Sequence, residues 1–332
     1  MCSRTGRTRG PPLRIISEQT DKSEFKRCGV AQKGAIHGMK RFIERNPIIM
    51  IFIGVMGIGM SAIFVKFSAA PSPVTAAWRL LWTVVLMTPV VLGKGTIRRQ
   101  FRAVSRKNWA LSILSGLFLA LHFVLWFESL KHTSVASSTT LVCTEVIWVS
   151  LGWCLFMKGK LGWKAAITIG VTFLGSVCIA LADASAGQAH LYGDLLSLAS
   201  AIAVAVYMLL GRAVQQRLST SVYTYIVYCA CAAGLLAICG VYRYDLFGYG
   251  WVTPAVGLAL SVFSTILGHS VFSWCLKHFS PAFVSASKLC EPVVAAALAI
   301  PLFGEYPNWL QLLGAAVILC GVWYYARLEG QK

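Results

Sequence analysis

The chain has 332 residues, of which 57% are apolar and only 13% charged, and its mean hydropathy is +0.68. A soluble domain carries about 25% charged and about 45–50% apolar residues, so this composition excludes a water-soluble globule, a secreted disulfide scaffold, a coiled coil and a disordered chain. The net charge of +18 does not mark a nucleic-acid binder either: eleven of the 30 Lys and Arg lie in the first 45 residues and most others fill short gaps between apolar runs, with no folded basic module to hold a nucleic acid.

Residues 1–45 are polar and basic and lack an apolar run, which fits a disordered cytoplasmic tail rather than a signal peptide or a span. Met39-Lys40-Arg41, directly before the first apolar stretch, offers an alternative start of synthesis. A helix crosses a hydrocarbon core of about 30 Å with about 20 apolar residues. Ten stretches qualify: 47–67, 73–93, 109–129, 133–157, 162–182, 192–211, 222–241, 253–276, 281–303 and 307–327. Pro, Gly and Asn punctuate the short connections, as at Pro71-Ser72-Pro73, Ser280-Pro281 and Tyr306-Pro307-Asn308. Alternating barrel patterning is absent, and uninterrupted runs such as Ile48 to Phe64 suit helices, which satisfy their own backbone in lipid. The expected fold is an all-α integral membrane protein.

Alternate connections differ sharply in charge. One set, with both termini, holds 25 Lys and Arg, and the other only Lys131 and Arg243. The positive-inside rule therefore places both termini in the cytoplasm, with a bacterial plasma (inner) membrane as the expected location. Lys66, Arg79 and Lys288 fall inside stretches.

Leu130-Lys131-His132 recurs as Leu276-Lys277-His278, a shift of 146 residues, and the same shift pairs Ser134 with Ser280, Glu145 with Glu291, Trp163 with Trp309 and Gly175 with Gly321. The chain thus reads as two copies of one five-helix unit, 46–183 and 192–328. An odd number of helices inserts the second copy upside down, and Lys131 and Lys277 accordingly fall on opposite sides. Ten helices in two inverted repeats are the architecture of alternating-access carriers, with the site near the midplane between the repeats.

These residues carry a resemblance. Trp78-Arg79-Leu80-Leu81, Gly193-Asp194-Leu195-Leu196, Glu291-Pro292-Val293 and Leu302-Phe303-Gly304-Glu305, followed by Gly314 and Gly321, are similar to the drug/metabolite transporter superfamily, EamA type with ten helices. The resemblance covers about 47–327. It implies a carrier of small organic solutes, often amino acids, other metabolites or drugs, frequently exported. Met157-Lys158-Gly159-Lys160 stands where the family's Gly-Glu pair is expected after the fourth helix, so Glu305 has no counterpart in the first repeat.

Charged groups inside a bilayer cost about 2.5–3.5 kcal/mol each on insertion scales, so each requires a reason. Glu145 and Glu291 lie about 18 and about 15 Å into their stretches at 1.5 Å per residue. As repeat counterparts near the midplane they suit proton coupling or contact with a substrate amine. The structural alternative is that Lys288, three residues before Glu291 on one helical face, neutralises it, while Glu145 has no such partner in its own stretch. His122 and His269 are near-counterparts that could gate or bind, or simply pack. Trp126 with Phe127, Phe272 with Trp274, and Trp148 one turn from Glu145 would line an apolar cavity that stacks a ring or covers an ammonium group, or would face lipid.

Other groups read as structural. Lys66 snorkels, Arg79 reaches the outer interface or a carboxylate such as Glu128, with contact to a substrate carboxylate as the lesser option, Glu128 pairs locally with Lys131 and His132, Asp194 favours its helix N-terminus, and Glu305 caps or bridges. Gly54, Gly57, Gly59, Gly314 and Gly321 allow close helix contact, and Pro292 is expected to kink the ninth stretch. Neither histidine has a second ligand at i+3 or i+4, the eleven cysteines form no metal cluster, and no cofactor motif is present. The expected partners are a small-molecule solute and the lipid bilayer, with small-residue faces that permit a homodimer. A transport-inactive membrane subunit and, further behind, a membrane-embedded enzyme are the rival readings; the buried carboxylates are dispersed and no catalytic motif accompanies them.

Overall fold

The structure is a computed structural model that describes residues 47–133, 135–184, 191–303 and 309–330. The basic tail with Met39, as well as Ser134 and Glu305, lie outside the described residues. Residues 50–332 form one compact unit; of residues 1–49, only the first turn of the first helix is described.

Among the described residues every regular element is helical. The helices are α1 (Pro47–Gly59), α2 (Ser61–Lys66), α3 (Ser72–Gly93), α4 (Gly95–Arg102), α5 (Arg106–His132), α6 (Val135–Cys143), α7 (Glu145–Met157) and α8 (Trp163–Ala184). They continue as α9 (Leu191–Gln215), α10 (Thr220–Val241), α11 (Val252–Ala259), a π-helical segment (Leu260–His269), α12 (Ser270–Cys275), α13 (Pro281–Ser287), a 3-10 turn (Lys288–Cys290), α14 (Glu291–Phe303) and α15 (Trp309–Gly330). Six described segments are long and apolar enough to cross a membrane: Ile48–Lys66, Ser72–Gly93, Arg106–His132, Tyr192–Gln215, Thr220–Val241 and Val252–Cys275. Leu141–Met157, Trp163–Gly175 and Leu312–Tyr325 are shorter apolar helical stretches.

Local chemistry sets several ends. Ser105 Oγ accepts from the Asn108 amide at 3.3 Å to cap α5, and Ser280 Oγ accepts from the Phe283 amide at 3.2 Å ahead of Pro281 in the first turn of α13. The loop expected at 94–107 contains the short helix α4, which buries no residue and carries Arg98, Arg99 and Arg102.

Sequence periodicity did not reveal that several stretches are interrupted. The first breaks at Met60, the fourth at Thr144 and the ninth at Lys288–Cys290, and the eighth widens into the π segment. Pro292 is the second residue of α14, where no intrahelical bond needs its missing N–H. The break in this stretch is therefore the 3-10 turn before Glu291, rather than a kink at Pro292.

Repeat-equivalent elements meet in the core. α8 packs on α15 and α3 on α10; α6 lies against α14 while α7 lies against α13. The first half of each interrupted stretch thus faces the second half of the other, as in an antiparallel pair.

The small residues read as contact points serve that way. A Cβ on Gly54 would lie 3.1 Å from the Phe272 ring, and one on Gly175 would lie 2.9 Å from the Gly314 carbonyl oxygen. A Cβ on Gly57 would lie 2.5 Å from the Phe263 carbonyl oxygen and 3.0 Å from the Gly268 amide nitrogen, both main-chain atoms that cannot rotate away. Gly57→Ala is therefore expected to destabilise the fold by about 1–3 kcal/mol through overpacking. Thermal unfolding in detergent should show a lowered midpoint, whereas Gly93→Ala, which meets nothing within 4 Å, should leave it unchanged.

Candidate functional site

The helix interruptions gather the buried charges. Glu145 opens α7 and Glu291 opens α14, so each repeat places one carboxylate at the start of the second half of a broken helix. The partial positive charge of a helix N-terminus favours an anion there. Lys288 Nζ donates to both Glu145 carboxylate oxygens at 2.8 Å, and Ser285 Oγ adds a bond to Oε1 at 3.0 Å. Both partners are buried.

This pairing differs from the structural alternative in which Lys288 neutralises Glu291. A continuous helix would align positions i and i+3, but Lys288 stands in a 3-10 turn and its side chain crosses to α7. Glu145, without a partner in its own stretch, finds one in the other repeat. The Glu291 carboxylate makes no hydrogen bond or ion pair among the described residues, and it interacts coulombically with Lys288, Glu145 and Arg79. The Lys288 ammonium also lies 5.9 Å from the Phe272 ring centroid.

Beside these charges lies an aromatic group. His122 and His269 have ring centroids 6.3 Å apart, and the His122 ring stacks on Trp126 at 6.0 Å and 10°. Ser200 holds His122 through its hydroxyl, 2.8 Å from Nδ1. His269 meets Phe123 edge-on at 5.3 Å and Tyr207 at 6.1 Å. The Tyr207 hydroxyl is within 2.9 Å of Ser273 Oγ.

Arg79 is fully buried against the same group, its guanidinium 4.2 Å from the Phe123 centroid. Nε donates to Thr265 Oγ1 at 2.7 Å and Nη1 to Ser61 Oγ at 3.2 Å, while Nη2 has no partner among the described residues. Arg79 therefore reaches neither the outer interface nor Glu128. Its acceptor Thr265 lies in the π segment, and Ser61 opens α2 just after the break at Met60. Regular helical periodicity places neither.

Glu128 has the local role read for it, accepting from Ser72 Oγ at 2.7 Å and pairing with Lys131 and His132 at 3.2 Å. Asp194, in the first turn of α9, accepts from Thr133 Oγ1 at 2.8 Å. Trp148 is half-buried one turn beyond Glu145, with its indole nitrogen unbonded among the described residues. Trp274 packs on His278, with centroids 4.2 Å apart. The structure thus brings Glu145, Lys288, Glu291, His122, His269 and Trp126 toward the interior and adds Arg79, Phe123 and Tyr207, which sequence reasoning did not place there.

Residues 45–181 and 191–327 each match the EamA-like transporter family. The chain belongs to this family. It is an integral membrane protein of a transporter family, with two EamA repeats. An uncharacterized transporter, YxxF, of Bacillus subtilis (strain 168) is 22% identical over 285 residues, covering 84% of this chain and 89% of that protein. An uncharacterized transporter of Archaeoglobus fulgidus is 22% identical over 246 residues, covering 72% and 83%. A solved crystal structure aligns with a TM-score of 0.70 at 17% identity, over 86% of this chain and 98% of its own, and shares the fold.

Proposed function

We propose that the chain is a secondary-active carrier that moves small organic metabolites across the membrane by alternating access, through ten membrane helices arranged as two inverted five-helix repeats. The observation that carries this reading is the pair Glu145 and Glu291, related by the repeat and each opening the second half of an interrupted helix in the buried interior. Broken helices at the repeat interface are how carriers place a polar site at the midplane. The antiparallel meeting of α6 with α14 and α7 with α13 supports inversion.

The cargo that suits this interior is amphipathic, with amino acids the leading class and export the leading direction. Glu291 takes an ammonium group or a proton, Arg79 Nη2 offers a donor for a carboxylate, and His122, Trp126 and His269 cover the apolar part. The distribution of Lys and Arg supports cytoplasmic termini and a bacterial plasma membrane. Transport is favoured over catalysis because the buried groups form an ion pair and an aromatic lining.

The test is release of solute from proteoliposomes loaded with mixed amino acids and common metabolites, read by mass spectrometry against protein-free liposomes. Selective loss of one class is expected; no loss from folded, inserted protein overturns the reading in favour of a transport-inactive subunit. With an imposed pH difference, Glu291→Gln is expected to abolish accumulation against a gradient. If both Glu291→Gln and Glu145→Gln still concentrate solute, neither carboxylate couples protons.

A further inference from the structure

The two ends of the membrane unit carry repeat-equivalent residues in different arrangements. The 146-residue shift maps Lys66, Ser72, Leu130 and Lys131 onto Arg212, Leu218, Leu276 and Lys277. In the second set, Arg212 Nη1 donates to the Leu276 carbonyl and, at 3.4 Å, to that of Phe279, and Lys277 Nζ donates to the Leu218 carbonyl at 2.9 Å. These bonds tie the last turn of α9 and the α9–α10 connection to the α12–α13 connection. Between Arg212 and Leu218, Gln215 is buried at 3% exposure.

In the first set the same positions line an opening. Lys66, Leu130 and Lys131 border a cavity of about 200 Å3 together with Ser68, Ser72 and Thr75. Lys131 turns to Glu128 at 3.2 Å, and Ser72 also donates to Glu128. This acid exists in one repeat only, because its counterpart is Trp274, which packs on His278. Two copies of one unit held in two arrangements show what each copy can adopt, and exchanging the arrangements describes a second state of the whole.

We infer that Arg212 and Lys277 form a latch that closes one end of the transport pathway, and that Lys66 and Lys131 form its counterpart at the other end, the two closing in alternation. This rests on the carrier reading. In the exchanged state Lys131 leaves Glu128 for the Ser72 carbonyl and Lys66 takes the Leu130 carbonyl, while Arg212 and Lys277 let go. Glu128 biases the molecule toward the arrangement seen here by holding Lys131 away from that carbonyl. Arg212, the more buried member, supplies most of the closing energy, since exposed bonds such as that of Lys277 exchange readily with water.

The test measures labelling rates by a maleimide in detergent, where both ends are accessible, on full-length chains whose native cysteines are replaced. Ser68→Cys reports the cavity end and Gln215→Cys the latched end. The double variant Arg212→Gln, Lys277→Gln and, independently, Glu128→Gln are each expected to raise labelling at Gln215→Cys and lower it at Ser68→Cys, about tenfold in their ratio. A rise at Gln215→Cys with Ser68→Cys unchanged means local loosening and overturns the latch, as does no change at either position. Should the double variant fail to fold, Glu128→Gln decides alone. Labelling needs no cargo, so opposite shifts without solute release would sink the carrier reading and leave the coupled ends standing.

Discussion

Lys288→Met is expected to be among the most damaging single substitutions in this chain, and Glu145→Gln added to it should restore most of the loss. Lys288 and Glu145 form a buried pair with both carboxylate oxygens engaged, bridging two repeats. Removing one partner of a buried pair costs about 3–5 kcal/mol, because the other charge stays in a low-dielectric interior, whereas removing both is often neutral. Glu145→Gln alone should be milder, since the amide keeps an oxygen that accepts from Lys288 Nζ. A double-mutant cycle on thermal or denaturant unfolding in detergent measures the coupling. Additive losses from the two single changes would show that the pair contributes no mutual stabilisation.

The contrast between what was legible in the sequence and what was not follows the same physics. Apolar length exposes membrane helices because lipid demands continuous apolar surface, and the ends of the six long segments lie within four residues of those expected. The 146-residue shift was legible because Lys131 and Lys277, Glu145 and Glu291, and Gly175 and Gly321 kept their chemistry, and the glycines do sit at close contacts. Helix interruptions were not legible. Thr144 and Lys288–Cys290 lie in runs whose composition suits an unbroken helix, and the choice of a 3-10 turn or π segment is made by tertiary contact. Every misplaced partner traces to such a point. The i, i+3 spacing that offers Lys288 as a partner for Glu291 presumes a continuous helix, and the π segment that brings Thr265 to Arg79 has no sequence signature.

Arg79 provides the second large effect. Arg79→Lys is expected to lower stability by about 2–4 kcal/mol, even though the charge is kept. The guanidinium serves Thr265 and Ser61 with two nitrogens while its flat face covers Phe123, and one ammonium cannot reproduce that geometry. Thr265→Val, which removes one acceptor, should cost less, about 1–3 kcal/mol. Nη2 is a buried donor with no partner among the described residues, and a cargo carboxylate that engages it recovers bonding energy only while bound. In folded Arg79→Lys protein, affinity for a carboxylate-bearing solute should therefore fall about tenfold, with little change for an analogue whose carboxylate is amidated. Equal losses for both solutes would assign Arg79 to holding α3 against α2 and the π segment, with no contact to cargo. An unequal loss would place the cargo carboxylate on the α3 side of the aromatic group.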